Sequence, residues 1–143
     1  VLAFSFTPEK FSAEYEFGVA NIKKRISSLK AIIDYGWKIG IRLDPFVVYE
    51  GWENDYISLF ESLFKIIPSD QMHSVTYGNI RFPKNIFTNI KKYYPNENLF
   101  FKFIKQKTNI YDEDNGELIK NFCKRYLFNY VDKSKVYCNI HEK

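Results

Sequence analysis

At 143 residues, with 45% hydrophobic side chains and a formal net charge of +4, the chain is one globular domain or part of one. That composition argues against intrinsic disorder, and no run reaches the roughly 20 apolar residues of a membrane-spanning helix. Cys123 and Cys138 form no CxxC pair and no metal-ligand spacing, so both are expected to be small buried residues, not ligands or a disulfide. No basic leader precedes the first strand-like run, so the expected location is cytoplasmic. A start at Val1 without Met suggests a piece of something longer.

Leu2, Phe4 and Phe6 alternate with Ala3 and Ser5, a strand pattern closed by Thr7-Pro8. Glu9–Gly18 is mixed and reads as a loop with at most a helical turn. Asn21 is a plausible N-cap for a helix carrying Ile22, Ile26, Leu29 and Ile33, which Gly36 stops. Its basic face, Lys23, Lys24, Arg25 and Lys30, reads as solvated in preference to a phosphate track. A second strand, Lys38–Leu43, leads through Asp44-Pro45 into Phe46, Val47 and Val48. Glu50-Gly51 then opens a helix with Trp52, Tyr56, Leu59, Phe60, Leu63, Phe64 and Ile67 on one stripe, ended by Pro68. A third strand is predicted around His73–Tyr77 and a third helix over about Lys84–Tyr94.

Strand starts recurring about every 35 residues, with a helix after each, predict parallel βα units. The tail breaks that rhythm. Leu99–Ile104 is strand-like, Lys105–Asn115 loop-like, Glu117–Tyr130 amphipathic, and Lys135–Ile140 a closing strand. No Gly/Ser-rich linker marks a boundary, so residues 1–143 read as a single domain: βα units over 1–95 and a strand-helix-strand extension over 96–143.

Phosphate-loop, dinucleotide-fold, zinc-protease and serine-hydrolase motifs are all absent from the sequence. His73 and His141 close no metal or triad pattern. Asp44, at the end of the second strand, is placed to accept from ribose hydroxyls or to pair with Arg42. Its bland alternative is to satisfy loop amides while Glu50 caps the following helix. Ser5 lies on the opposite face of its strand from Phe4 and Phe6, and with helices on one side of the sheet that face lines a barrel interior. Arg81, at the end of the third strand, suits an anionic ligand or a neighbouring acid. Phe100, Phe101, Lys102, Phe103, Lys105, Lys107 and Tyr111 interleave rings and bases, as nucleic-acid binders do. A core strand with a snorkelling lysine reads the same way.

Several segments fall in a recognisable series: Phe4-Ser5-Phe6, a loop ending in Gly18, Lys24-Arg25-Ile26, Tyr35-Gly36, Gly40, Asp44-Pro45, Glu50-Gly51-Trp52-Glu53 with Tyr56, Gly78, Arg81-Phe82-Pro83 and Tyr94-Pro95. Together they resemble the C-terminal half of the spore photoproduct lyase and lyase-like branch of radical S-adenosylmethionine (SAM) enzymes. Beyond Leu99 the similarity thins to Ile110-Tyr111 and a helix-strand ending.

The resemblance implies an α/β fold: the C-terminal half of a partial (βα)6 radical-SAM barrel, three parallel βα units plus the tail. It implies DNA repair of a thymine photoproduct, with SAM and a 4Fe-4S cluster as cofactors. Ser5 would bind the amino-acid moiety of SAM, and Arg42, Asp44 and Pro45 would lie near its nucleoside. Arg81, Lys105, Lys107 and Tyr111 would contact substrate DNA, with Asn109 where an Arg is often found. The CxxxCxxC cluster motif and the hydrogen-donating cysteine of the family are absent, so no metal ligand is expected here. The expected state is therefore inactive alone, with a missing N-terminal half as partner and an open sheet edge where that half belongs. The alternatives are a non-catalytic α/β module binding nucleic acid or protein through Lys102, Lys105 and Lys107, and a hydrolase using Asp44 and Glu50.

Overall fold

The computed structural model describes residues 1–80, 84–95 and 115–140. Strands β1 (Leu2–Ser5), β2 (Ile39–Phe46), β3 (Met72–Asn79) and β4 (Val136–Cys138) form one sheet in the order β1-β2-β3-β4. Every pairing is parallel. The helices are α1 (Glu9–Tyr15), α2 (Ile22–Asp34), α3 (Trp52–Phe64), α4 (Lys84–Tyr93) and α5 (Gly116–Tyr126). The result is an open parallel α/β sheet, not a closed barrel, as expected for part of one. The predicted Leu99–Ile104 strand lies outside the described residues.

Period-two alternation divides the two faces of the sheet. Ile39, Ile41, Leu43, Val75 and Tyr77 point to one side and are buried with Leu29 and Ile33 of α2, five residues of α3 and Ile119, Phe122 and Cys123 of α5. Between Leu43 and Phe46 the register with β3 slips by one residue. This bulge returns Phe46 to the core side, where its ring stacks on Tyr56 with centroids 3.7 Å apart. Trp52 meets Phe46 edge-on, and Phe122 of α5 closes the ring cluster.

Local signals explain the helix limits. Asn21 caps α2, its Oδ1 accepting from Lys24 N at 2.9 Å, and Gly36 turns the chain out at φ 77°. Gly51, at φ 83°, takes the N-cap position of α3, with Glu50 just before it. Helix α1 replaces the loop expected over Glu9–Gly18. Buried Phe11 stacks on Tyr49 (6.1 Å) and meets Tyr15 at a tilt (4.9 Å), so packing supplies what mixed composition does not signal. Cys123 is buried as expected, and burial pushes its thiol well up, which leaves it unreactive. Cys138 is exposed, a correction that follows from its place on the short edge strand β4.

Candidate functional site

The face of the sheet away from the core is polar. Ser5 pairs with Arg42, Arg42 with Thr76, and Thr76 with Tyr137, so one row crosses all four strands. Directly paired residues of parallel strands project to the same side. The glycines confirm which side. A Cβ on Gly40 would meet Ala3 Cβ and Ser74 Oγ at 3.4 Å and Arg42 Nη1 at 3.5 Å. A Cβ on Gly78 would come within 3.0 Å of Asp44 Oδ2 and of Asn139 Cβ. Ala3, Gly40, Arg42, Asp44, Ser74, Gly78 and Asn139 therefore share this face.

Each candidate on this face has a definite setting. Ser5 is exposed at the C-terminal end of β1. Arg42 is half-buried, its Nη1 donating to Ser74 Oγ at 3.3 Å and to Ile41 O at 3.4 Å. Asp44 sits at the β2 bulge and accepts from Asn139 Nδ2 at 3.3 Å. Pro45, joined to it by a cis peptide bond, is half-buried beside it. The structure thus brings Ser5, Arg42, Asp44 and Pro45 to the C-terminal ends of two adjacent strands, where parallel α/β sheets bind ligands. Glu50 lies beyond them, exposed. Arg81, Lys105, Lys107, Tyr111 and His141 lie outside the described residues, as do Lys102 and its neighbouring rings. His73 is an exposed strand residue with Nδ1 3.1 Å from Ser74 Oγ.

Sequence reading missed a second cluster behind Ser5. Arg25, assigned to a solvated basic face, is largely buried and ion-paired with Glu16. Its Nε also donates to Ala20 O at 2.7 Å and its Nη1 to Ser5 O at 3.3 Å. Glu16 accepts further from Thr7 Oγ1 at 2.6 Å and Ser12 Oγ at 2.9 Å. Burial pushes the Glu16 carboxyl up, but donation from Thr7, Arg25 and Ser12 and the Arg25 charge hold it below the ordinary glutamate value. This network straps the crossover after β1 to the strand end that carries Ser5. The signal available in sequence was only the position of Arg25 in the first turn of α2.

Tyr49 lies beyond the β2 end, its hydroxyl donating to Asp55 Oδ2 at 2.9 Å; burial and that carboxylate raise its pKa far above the phenolic range. It braces α1 against α3 and is no acid for chemistry at neutral pH. Among the described residues no cluster of three His, Cys, Asp or Glu is suited to a metal ion, and no helix is long and apolar enough to cross a membrane.

This geometry has known counterparts. The family model described as spore photoproduct lyase matches residues 1–138. The spore photoproduct lyase of Bacillus subtilis is 26% identical over 93% of this chain and 42% of its own length. That of Clostridium acetobutylicum is 24% identical over 94% of this chain and 43% of its own. The chain thus spans less than half the length of these curated relatives. A solved spore photoproduct lyase complexed with a dinucleoside spore photoproduct superposes with a TM-score of 0.74 over 97% of this chain and 44% of that one, at 20% identity. At that identity the structural likeness speaks for the fold; the match to the family model across nearly every residue decides membership. The chain belongs to the spore photoproduct lyase family and corresponds to the C-terminal part of its proteins.

Proposed function

We propose that this chain is one wall of the SAM- and lesion-binding cleft of a radical SAM lyase that repairs a thymine photoproduct in DNA. The observation that carries the reading is the shared row and rim: Ser5, Arg42 and Asp44 on one face of the sheet, at strand C-termini, over a floor of Gly40, Ser74 and Gly78. In this reading residues 1–143 act as one unit, 1–95 supplying the parallel βα framework and 96–143 the extension that meets substrate.

The chemical fit to SAM is specific. Arg42 is assigned to the nucleoside side of the cleft, where its guanidinium donates to nucleoside acceptors. The Ser5 hydroxyl both donates and accepts, so it serves either pole of the amino-acid zwitterion. The Asp44 carboxylate accepts from the nucleoside hydroxyls, and Pro45 offers an apolar edge to the nucleoside. Glycine at position 40 leaves room above the floor. When bound, SAM supplies the hydrogen-abstracting radical chemistry of the family; the residues here bind and orient it. Arg81, Lys105, Lys107 and Tyr111 are assigned to the DNA strand that carries the lesion.

The 4Fe-4S cluster does not fit this chain. Its two cysteines are Cys123, sealed in the core, and Cys138, alone on β4. The ligands must come from polypeptide outside residues 1–143, and no step through the cluster is assigned to residues of this chain. A cytoplasmic location follows from DNA as substrate.

The test is equilibrium binding of SAM by calorimetry. The chain is measured alone and mixed with the N-terminal portion of the Bacillus subtilis relative. Binding that Arg42→Met weakens at least tenfold, with SAM cleavage only in the mixture, is the expected result. Cleavage by this chain alone, or binding indifferent to Arg42→Met, rejects the reading.

A further inference from the structure

Strand β4 is the edge of the sheet farthest from β1, yet it reaches into the Asp44 end of the cleft. Past Cys138 the ladder continues for one more bond, Asn139 N donating to Tyr77 O at 2.7 Å. The Asn139 side chain then crosses over β3, and its Nδ2 donates to Asp44 Oδ2 at 3.3 Å. The two residues are 95 positions apart in sequence. Strands two places apart in a sheet are separated by roughly 10 Å, so side chains as short as Asp and Asn meet only across an empty position between them. Gly78 is that position. A Cβ there would sit 3.0 Å from both Asn139 Cβ and Asp44 Oδ2, and Gly78 has no left-handed backbone to require glycine for any other reason.

We propose that Asn139 is a positioning residue, an amide from the C-terminal strand that holds the Asp44 carboxylate in the orientation for ligand hydroxyls, with Gly78 as the gap through which it reaches. The proposal rests on the assignment of Asp44 as nucleoside acceptor. A carboxylate offers about four acceptor sites, so the Asn139 amide can set the plane of Asp44 alongside other donors. A neutral amide orients the carboxylate without itself bringing a charge to the site. The last strand thus does more than close the sheet: it sets the ligand-facing group of a strand two places away.

Two measurements on the full chain test this. First, the side-chain amide signals of Asn139 are followed by nitrogen-15 NMR without ligand. Asp44→Ala and Gly78→Ala are expected to move them, and Glu53→Ala, on the exposed side of α3, to leave them in place. Unmoved signals in Asp44→Ala overturn the proposal. Second, SAM affinity is measured for the wild type, Asp44→Ala, Asn139→Ala and the double variant, each checked for an intact melting transition. Asn139→Ala is expected to weaken binding roughly tenfold, with the double variant no weaker than Asp44→Ala, since one residue acts through the other. Weakening by Asp44→Ala alone overturns the positioning role and spares the assignment of Asp44. Additive losses give Asn139 an independent role and also overturn it. Absent binding by the wild type, or equal binding by Asp44→Ala, overturns the assignment of Asp44 and the positioning role with it.

Discussion

The two faces of this one sheet follow opposite rules. On the covered face, Ile39, Ile41, Leu43 and Val75 are wholly buried, and rings from β2, α3 and α5 interlock around Tyr56. On the other face stand Ala3, Ser5, Gly40, Arg42, Ser74, Thr76 and Gly78, with Tyr137 at the β4 edge. Both faces come from the same strands, residue by residue in alternation. The covered face is therefore where substitutions should cost stability, and the other face where they should cost binding.

The largest effect that tests this contrast is expected at Tyr56, fully buried, with Val47 N donating to its hydroxyl at 3.0 Å. Tyr56→Ala removes a packed ring and is expected to cost about 3–5 kcal/mol, read as a fall in the denaturant midpoint. Tyr56→Phe keeps the ring but strands the Val47 amide, for roughly 1–3 kcal/mol. A melt insensitive to Tyr56→Ala would mean that the ring cluster is not the core.

A middle-sized effect belongs to the strap behind Ser5. Glu16→Gln keeps the shape but removes the charge that meets Arg25, and is expected to cost about 1–3 kcal/mol because hydrogen bonds to a charged group are lost. The pH dependence has a definite sign. The folded carboxyl lies below the ordinary glutamate value, so its contribution is complete above the unfolded value near 4.5 and is lost as pH falls through the lower folded one. The wild type should lose stability on acidification below about pH 4.5 more steeply than Glu16→Gln, with equal slopes above it. Equal slopes throughout would remove the strap from the account.

These contrasts separate what sequence discloses from what it hides. Ile39, Ile41 and Leu43 alternate cleanly, so the covered face was legible, as was the placing of Ser5 opposite Phe4 and Phe6. The Asn21 cap and the Gly36 stop were legible because each acts within a few residues. Arg25 was not, because Lys23-Lys24-Arg25 reads as a solvated run until a fold brings Glu16 beneath one of its members. Helix α1 was hidden for the same reason, since Phe11 gains its partner Tyr49 from a distant loop. Asn139 was the least legible of all. Its role depends on a parallel register between β3 and β4 that no local pattern encodes, and on the missing side chain of a residue on a third strand.

The smallest expected effect is the most discriminating. Ser5 is exposed, its carbonyl is held by Arg25, and the pairing of β1 with β2 uses only main chain around it. Ser5→Ala should therefore shift stability by less than about 0.5 kcal/mol. If the face that carries Ser5 is a ligand wall, the same change should still weaken SAM binding by roughly tenfold, the worth of one hydrogen bond to a charged group. A scaffold serine would do neither, and a serine needed for folding would lower the melt and the affinity together. Only a face relieved of structural duty lowers affinity at constant stability, so calorimetry and thermal unfolding of this one variant decide whether the alternation of β1 and β2 divides function from fold.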